Sequence, residues 1–238
     1  MDAEVKRLDR VARWYDARTD FDRHTRKRIA ALIELHRRGT RLLEVGCGTG
    51  AMTRYLTGRI TCIDGSPTCI EQCRSQTWKE DISFQECLAE EYDPGGGQFD
   101  DIVMAGLLEH VENPLEMLRR ARSWVTAAGH LHVSVPNALS LHRRLGVAMG
   151  KLAQVDAMSD RDRDMGHRRI YQPSMLMSQL KESGWQIIHW EGILLKPLSS
   201  AQMNDWPDDV IDGLIEAGRL LPEWCAELYF VCQVPGAC

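Results

Sequence analysis

The chain has 238 residues, of which 44% are hydrophobic and 26% charged, an ordinary composition for a globular protein with one large core or two small ones. Its formal net charge of −5 argues against a nucleic-acid partner, because the phosphate backbone selects basic surfaces. The N-terminus lacks the apolar segment of a signal peptide, and no run approaches the roughly eighteen apolar residues of a membrane span. The sequence therefore predicts a cytoplasmic protein.

In chain order, amphipathic helical spacing extends over residues 3–37, and strand-like runs then alternate with helices. Seven strand-like runs lie at 41–45, 59–63, 82–86, 99–105, 130–136, 185–190 and 227–234. The helices expected between them lie at 51–56, near 67–75, after the capping residue Asn113 and at 174–183. Residues 138–172 interrupt the alternation.

This alternation predicts an α/β fold with a doubly wound, mostly parallel seven-stranded sheet. A barrel would need eight strand–helix units. We interpret residues 1–238 as a single domain in four parts, which are an N-terminal helical cover (1–38), a ligand-binding core (40–135), a lid insertion before the last strands (138–172) and the remaining sheet with an acidic insertion (173–238).

The eight cysteines form no Cys-x-x-Cys pair, and most lie in apolar runs, where a free thiol packs as a small hydrophobic group. Cys69 and Cys73 are four residues apart, but no second pair follows at the spacing of a zinc finger. We therefore expect reduced core thiols and no structural zinc.

A glycine-rich segment, EVGCGTG (44–50), follows the first strand, where open α/β sheets bind their ligands. Asp64, eighteen residues after Gly46, ends the second strand, where its carboxylate can accept both hydroxyls of a ribose. These glycines also satisfy the G-x-G-x-x-G/A dinucleotide fingerprint, so they do not by themselves separate NAD from S-adenosylmethionine.

Three segments together are more specific. LLEVGCGTG (42–50), ITCIDGS (60–66) and FDDIVMAGLLEHVENP (99–114) resemble motif I, motif II and the segment after strand four of the class I S-adenosylmethionine-dependent methyltransferases. The third segment is similar to the small-molecule branch, which includes the ubiquinone-biosynthesis O-methyltransferases. The resemblance covers roughly residues 40–190 and implies a Rossmann-like methyltransferase fold, S-adenosylmethionine as methyl donor and S-adenosylhomocysteine as product.

The resemblance also implies roles for residues around the donor. Glu44 would hold the donor's ammonium group through water or the loop, and the carbonyl of Ala105 would accept from the same group. Gly46, Gly48 and Gly50 would line the methionine moiety.

Asp64 would bind the ribose hydroxyls. The family's acidic adenine contact aligns with Leu88-Ala89, so that acid is missing here, and the backbone N–H of Ala89 is expected to contact the ring instead. Tyr15 is expected to cover the cofactor as a lid residue, with an ordinary core aromatic as the alternative.

Glu109-His110 follows the fourth strand, beside the expected position of the donor methyl group. In metal-dependent relatives a further glutamate lies three residues before this pair, where the present chain has Gly106, so we expect no metal. His110 is a candidate general base, because imidazole titrates near neutrality. The alternative is a histidine packed at the start of the next helix.

The lid insertion supplies further candidates. His167 is a second candidate base, and His142, Arg168 and Tyr171 are candidate acceptor-binding residues, since guanidinium groups suit carboxylates and phosphates. The alternative is surface ion pairing, because residues 155–170 contain four aspartates and four arginines. Lys196, beyond the insertion, is a candidate for the pocket wall.

We expect methyl transfer to a small or medium organic acceptor or a peptide by in-line displacement, with oxygen favoured over nitrogen or carbon. RNA methylation is disfavoured, because no RNA-binding module is visible and the Asn/Asp-Pro-Pro-Tyr signature is absent after strand four. A non-catalytic regulator that binds S-adenosylmethionine is the outside alternative, since binding needs the same residues. The oligomeric state stays open.

Overall fold

A seven-stranded sheet forms the centre of the computed structural model, which describes residues 3–15 and 20–236 except for the side chains of 13–15 and 20. The strands are β1 (Arg41–Val45), β2 (Arg59–Asp64), β3 (Asp81–Glu86), β4 (Phe99–Ala105), β5 (Val125–Pro136), β6 (Gln186–Ile193) and β7 (Glu227–Gln233). Their order across the sheet is β3-β2-β1-β4-β5-β7-β6. β7 is antiparallel to both neighbours, and every other neighbouring pair is parallel. The predicted doubly wound, mostly parallel seven-stranded sheet is confirmed.

The chain leaves β1 toward β2 and β3 on one side and then crosses to β4 on the other side of β1. This reversal of strand order opens a crevice outside the carboxyl ends of β1 and β4, because the two crossovers run to opposite sides. Ligand-binding segments of an open α/β sheet are expected at this edge.

Helices cover both faces of the sheet. The described helices are α1 (Ala3–Tyr15), α2 (Arg23–His36), α3 (Pro67–Ser75), α4 (Pro114–Trp124), α5 (Leu141–Ala148), α6 (Asp160–Asp164), α7 (Pro173–Glu182), α8 (Ser200–Met203) and α9 (Asp208–Gly218). Leu118 of α4 and Leu180 of α7 are fully buried in one hydrophobic cluster with Ile102. Ile33 of α2 is fully buried in a second cluster with Val103. Since neighbouring strand residues point to opposite faces, the two cores lie on opposite sides of the sheet.

The connection between β1 and β2 differs from the prediction. The sequence predicted an α-helix at 51–56, whereas the chain forms turns and a short 3₁₀ helix at Thr53–Tyr55. The chain must reach β2 at Arg59 soon after the glycine loop, and Gly58 has a φ of 107° that L side chains rarely adopt. The predicted α-helix is wrong because the N–H groups of Tyr55 and Leu56 donate to carbonyls three residues earlier, those of Met52 and Thr53, each at 3.0 Å.

The segment between β5 and α7 leaves the sheet and returns to the same place. An isolated parallel bridge pairs Asn137 with Tyr171, and the Ala138 N–H donates to the Tyr171 carbonyl at 2.7 Å. Helices α5 and α6 lie between these points, joined by an ion pair between Arg143 and Asp162 with an N–O distance of 3.2 Å. The predicted insertion is thus a looped segment with adjacent ends.

The thiols agree with the sequence interpretation over the described ranges. Each of the seven cysteines there is free, and all are buried except Cys87, which is half-buried. In the same part of the chain, no helix is both long enough and apolar enough to cross a membrane.

Candidate active site

A cleft lies at the carboxyl ends of β1, β2 and β3, beside the reversal of strand order. Segments that follow four strands line it from the sheet side, and helix α1 lines it from the other. The lining residues are Glu4, Arg7, Leu8, Gly46, Ile63, Asp64, Gly65, Cys87, Leu88, Ala89, Glu90, Leu107, His110 and Val111. The structure therefore brings five predicted site residues around one cleft, namely Gly46, Asp64, Leu88, Ala89 and His110.

The three glycines of the loop all have positive φ angles, but the space around them differs. Gly46 and Gly48 have φ angles of 77° and 53°, in the left-handed region that favours glycine. A Cβ atom on Gly46 would lie 2.9 Å from the Leu107 side chain, whereas one on Gly48 would meet no atom within 4 Å. Gly50 is buried, and a Cβ there would lie 2.4 Å from the Trp78 ring. Gly50 thus packs the loop and is not part of the cleft lining.

Asp64 ties the end of β2 to the glycine loop. Its carboxylate accepts the backbone N–H groups of Gly48 and Ser66, each at 2.8 Å. Burial raises the pKa of this carboxyl, and the two backbone donors act in the opposite direction. The carboxylate is therefore oriented at the cleft wall, at the position that the resemblance assigns to the ribose.

Glu44 lies beneath the loop, outside the cleft lining. It is 2% exposed, and its Oε2 accepts the Thr53 hydroxyl at 2.6 Å and the Cys62 thiol at 3.5 Å. Burial raises the pKa of Glu44 to about 7. Its carboxyl positions the turn that follows the glycines, so any effect on the donor would pass through the loop.

The wall beside β3 contains a carboxylate that the sequence interpretation missed. Glu90 lines the cleft together with Leu88 and Ala89, although the aligned acidic position itself is apolar. The sequence did offer a signal for Glu90, because this acid directly follows the Leu88-Ala89 pair that aligns with the family's adenine contact. Ala105 is half-buried at the end of β4. Tyr15 ends α1, and its side chain lies outside the described residues.

Helix α1 closes the cleft on the side away from the sheet. A Cβ atom on Gly65 would lie 2.7 Å from the Leu8 side chain, so this helix packs directly on the end of β2. Arg7 donates to the Gly166 carbonyl at 2.9 Å, which joins α1 to the insertion. The sequence predicted an N-terminal helical cover with Tyr15 as its lid residue, but it did not single out Glu4, Arg7 and Leu8, which line the cleft.

Arg168 joins three segments around the cleft. Its guanidinium donates to the His110 carbonyl at 2.8 Å and to the Glu4 carboxylate at 3.0 Å. The insertion, the turn after β4 and α1 are therefore linked by one side chain. This position does not support the predicted contact between Arg168 and an acceptor.

The turn after β4 brings three titratable side chains together. The rings of His110 and His167 meet edge to face with centroids 4.8 Å apart. Burial, aided by the neighbouring His167 and Arg7, lowers the pKa of His110 to about 3, so its neutral imidazole is a weak base. Glu109 is 2% exposed, its Oε2 has no hydrogen-bond partner, and burial raises its pKa to about 7. A group with a pKa near the working pH is the better proton acceptor.

These three side chains also offer one potential ligand atom each within 4.8 Å of one another. The extra glutamate of metal-dependent relatives is replaced by Gly106, whose added Cβ would lie 3.5 Å from Glu109 Oε1. The expectation that the reaction needs no metal stays a prediction.

A second group of potential ligands, Asp101, His130 and His132, lies at the opposite end of the sheet. His132 bonds Tyr229 at 2.7 Å through Nδ1 and Asp101 at 3.1 Å through Nε2. His130 accepts from Arg38 at 3.0 Å and bonds a backbone carbonyl through its other nitrogen. Every ring nitrogen therefore has a partner, and the group is a closed structural network.

The remaining predicted acceptor residues separate into two places. Burial and, to a lesser degree, the charge of Lys196 lower the pKa of His142 to about 3. Glu227, the first residue of β7, has an unpartnered buried Oε2, and burial raises its pKa well above the usual range. Tyr171 is instead fully buried in the core, where its hydroxyl donates to Gln179 at 3.0 Å. This position does not support its predicted contact with an acceptor.

Comparison with known proteins agrees with this geometry. Residues 15–190 match a family model described as a methyltransferase domain. The chain is 28% identical over 180 residues to the ubiquinone biosynthesis O-methyltransferase of Xanthomonas campestris pv. campestris, with 71% of each chain covered. It is 34% identical over 104 residues, 40% of its length, to an uncharacterised protein of Synechococcus sp., of which it spans only 25%. The N-methyltransferase NodS from Bradyrhizobium japonicum WM9, solved with S-adenosylhomocysteine, has a TM-score of 0.61 at 17% identity over 98% of this chain and 100% of that one.

The fold and the cleft define an S-adenosylmethionine-dependent methyltransferase. The chain belongs to the methyltransferase-domain family, whose model matches most of its length. The predictions of family, enzyme class and cofactor are thereby confirmed. The residues fit this cofactor, because Gly48 leaves open space beside the loop and Asp64 presents a carboxylate at the end of β2. When bound, S-adenosylmethionine supplies a methyl group on a positively charged sulfur.

Proposed function

We propose that the chain transfers a methyl group from S-adenosylmethionine to an oxygen or nitrogen atom of a small or medium organic acceptor or a peptide. One observation carries this proposal. His110 lines the donor cleft, and its chain neighbour Glu109 is buried with an unpartnered carboxylate oxygen. A proton acceptor therefore lies immediately beside the donor cleft, which a protein that only binds the donor would not need.

In this proposal the chain mainly aligns the reactants and excludes water. Asp64 binds the ribose hydroxyls, the loop at Gly46 and Gly48 holds the methionine moiety, and Ala89 contacts the adenine. Helix α1 covers the cleft. Glu109 removes a proton from the acceptor, and His110 and His167 border the same turn as the other base candidates.

The acceptor atom is oxygen or nitrogen in this proposal, because different observations support each of them. The sequence favours oxygen, and the Xanthomonas relative is named an O-methyltransferase. NodS, which has a similar fold, is named an N-methyltransferase. We propose that the reaction needs no metal, that the acceptor is not a nucleic acid and that the protein acts in the cytoplasm.

The first test measures S-adenosylhomocysteine binding by titration calorimetry. Charge-assisted hydrogen bonds are worth about 1.5–3 kcal/mol, so Asp64→Ala should weaken binding roughly ten- to hundredfold. Glu86→Gln is the matched control, because Glu86 lies in register with Asp64 on β3 and is exposed. Unchanged affinity in a folded Asp64→Ala protein would contradict the ribose assignment.

The second test measures turnover. Protein incubated with methyl-labelled S-adenosylmethionine and small-molecule extract of the source cells should yield a labelled product. Asp64→Ala protein should yield less at the same donor concentration. Tight donor binding without any labelled product would favour the non-catalytic alternative.

A further inference from the structure

Two histidines and a glutamate meet where the insertion contacts the turn after β4. Glu109, His110 and His167 each offer one potential ligand atom, and these atoms all lie within 4.8 Å of one another. We call these three side chains the His-Glu cluster. One carboxylate and two imidazoles are also the protein ligands of some zinc sites, in which water takes the fourth position.

Two side chains of the His-Glu cluster carry a polar atom that the fold leaves unpaired. Glu109 Oε2 and His167 Nδ1 are buried and have no hydrogen-bond partner. Buried polar atoms are normally paired, and a bound ion is one explanation for an exception. The other group of potential ligands, Asp101 with His130 and His132, differs because each of its ring nitrogens is hydrogen-bonded.

Hydrogen bonds join the two segments of the His-Glu cluster at the ligand residues themselves. The Arg168 N–H, directly after His167, donates to the Glu109 carbonyl at 2.8 Å. The Arg168 guanidinium donates to the His110 carbonyl, also at 2.8 Å. Ligand atoms about 2.0–2.2 Å from a tetrahedral zinc ion lie roughly 3.4 Å apart. Since the backbone is already in place, small side-chain rotations suffice to reach this spacing.

Asp162 provides an outer partner for the His-Glu cluster. Its Oδ2 accepts the Ser159 N–H at 2.8 Å, the Ser159 hydroxyl at 2.6 Å and the Arg143 guanidinium at 3.2 Å. These bonds leave Oδ1 beside the ring of His167, 3.4 Å from Nδ1. A carboxylate beside a metal-binding histidine orients its ring and strengthens it as a ligand.

The arginines around the His-Glu cluster have other partners. The Arg169 guanidinium donates to three backbone carbonyls of the turn after β4. Arg7 donates to the Gly166 carbonyl at 2.9 Å and pairs with Glu4 at 2.6 Å. In the described part of the chain, neither guanidinium is hydrogen-bonded to the Glu109 carboxylate. Burial favours the protonated form of Glu109, and a bound metal ion takes the place of that proton.

We propose that Glu109, His110 and His167 bind Zn²⁺ or a similar transition-metal ion, and that the bound ion switches methyl transfer off. The inhibition rests on the proposed function, because an ion on Glu109 occupies the electron pairs that take the acceptor proton. In metal-dependent relatives a further glutamate completes the ligand set. Here Gly106 replaces it, and a histidine of the insertion is the third ligand. Imidazole suits zinc, nickel and copper ions, whereas Mg²⁺ prefers oxygen ligands.

The first experiment measures metal binding without turnover. The whole chain is treated with EDTA, desalted and titrated with Zn²⁺ or Mg²⁺ by calorimetry. We expect Zn²⁺ to bind and Mg²⁺ to give no binding heat. The visible spectrum of the Co²⁺-loaded protein then reports the ligand type, and it should lack the charge-transfer band of a thiolate ligand. A thiolate band would place the ion on the cysteines and overturn the site, as would preferential binding of Mg²⁺.

Variants then locate the bound ion. Asp162→Asn should weaken Zn²⁺ binding by roughly 10–100-fold, the usual cost of losing an outer partner, and His167→Ala should weaken it further. His189→Ala is the matched control, because His189 also has a buried ring nitrogen without a hydrogen-bond partner but lies on β6. This control should bind Zn²⁺ like the wild type. Unchanged affinity in a His167→Ala protein with a normal circular-dichroism spectrum would overturn the site.

The last experiment measures inhibition as the ratio of turnover without Zn²⁺ to turnover with it, in the labelled-methyl assay. Loss of a general base costs roughly 10²–10⁴-fold, so saturating Zn²⁺ should lower turnover by a comparable factor and excess EDTA should restore it. His167→Ala should show a much smaller ratio at the same Zn²⁺ concentration. Zn²⁺ that binds at the cluster without changing turnover would contradict the inhibition and Glu109 as the base, while the site itself would stand. Activation by Zn²⁺ would overturn the inhibition.

Discussion

Replacing Glu44 with glutamine removes a titrating carboxyl from beneath the glycine loop while almost preserving its size. Glu44 is 2% exposed, and burial raises its pKa from 4.5 to about 7. Each pH unit between these values corresponds to about 1.4 kcal/mol, so the buried carboxyl accounts for about 3 kcal/mol of pH-dependent stability.

The direction of the pH dependence follows from the state, folded or unfolded, that holds the Glu44 proton more tightly. The folded protein retains the Glu44 proton up to about pH 7, whereas the unfolded chain releases it near pH 4.5. The contribution of this group to the free energy of unfolding is therefore full below pH 4.5, decreases as the pH rises to 7 and stays constant above. Glu44→Gln lacks this slope, so the variant should gain about 3 kcal/mol relative to the wild type between pH 4.5 and pH 8.

Urea unfolding followed by tryptophan fluorescence, at half-unit steps from about pH 4.5 to about pH 8, measures this difference directly. Only the difference in the free energy of unfolding between the variant and the wild type is interpreted. Groups that titrate in both proteins contribute equally to the two values and cancel in this difference. Glu86→Gln, an exposed acid on β3, should run parallel to the wild type. Parallel profiles for Glu44→Gln as well would refute the reasoning, because the carboxyl would then titrate alike in the folded and unfolded states.

The remaining predictions concern the turn after β4 and the insertion. His110→Ala and His167→Ala should each lower kcat less than Glu109→Gln does, and a larger loss in either would return the role of base to that histidine. Arg168→Ala should weaken S-adenosylhomocysteine binding severalfold and speed amide hydrogen exchange in α1, whereas unchanged exchange would contradict the link between the segments. Tyr171→Phe should lower the free energy of unfolding by about 1 kcal/mol without changing the acceptor KM, and a raised KM would restore its predicted acceptor role. EDTA should leave activity unchanged, and a loss reversed by added metal would disprove metal independence.

The sheet and the donor cleft could be predicted from the sequence because their signals are local. Buried parallel strands are short apolar runs, and the glycines follow β1 directly. Asp64 could be predicted as a cleft residue because it ends the second strand, eighteen residues after Gly46. The helix expected at 51–56 was wrong, and the Thr53 hydroxyl in this segment instead donates to the buried Glu44 carboxylate, a contact that the local pattern does not indicate.

The acceptor side could not be predicted because its residues come together only in the folded sheet. Glu227 lies beside the end of β5 because β7 inserts between β5 and β6 and runs antiparallel, which pairs its first residue with Pro136. No spacing of residues along the sequence indicates that the first residue of β7 lies at the end of β5. Tyr171 and Arg168 carry suitable chemical groups, but their hydrogen bonds are to Gln179, Glu4 and the backbone.

The adjacent ends of the insertion have an evolutionary consequence. Because Asn137 and Tyr171 pair with each other, the segment between them departs and returns at a single point of the scaffold. Its length can change without moving β5 or α7. The entropic cost of closing a loop grows only slowly as residues are added, provided that the two ends stay in place. Only the part of this segment before Gly166 is free to vary in this way, because Gly166 and Arg168 hold α1 and the turn after β4 at the donor cleft.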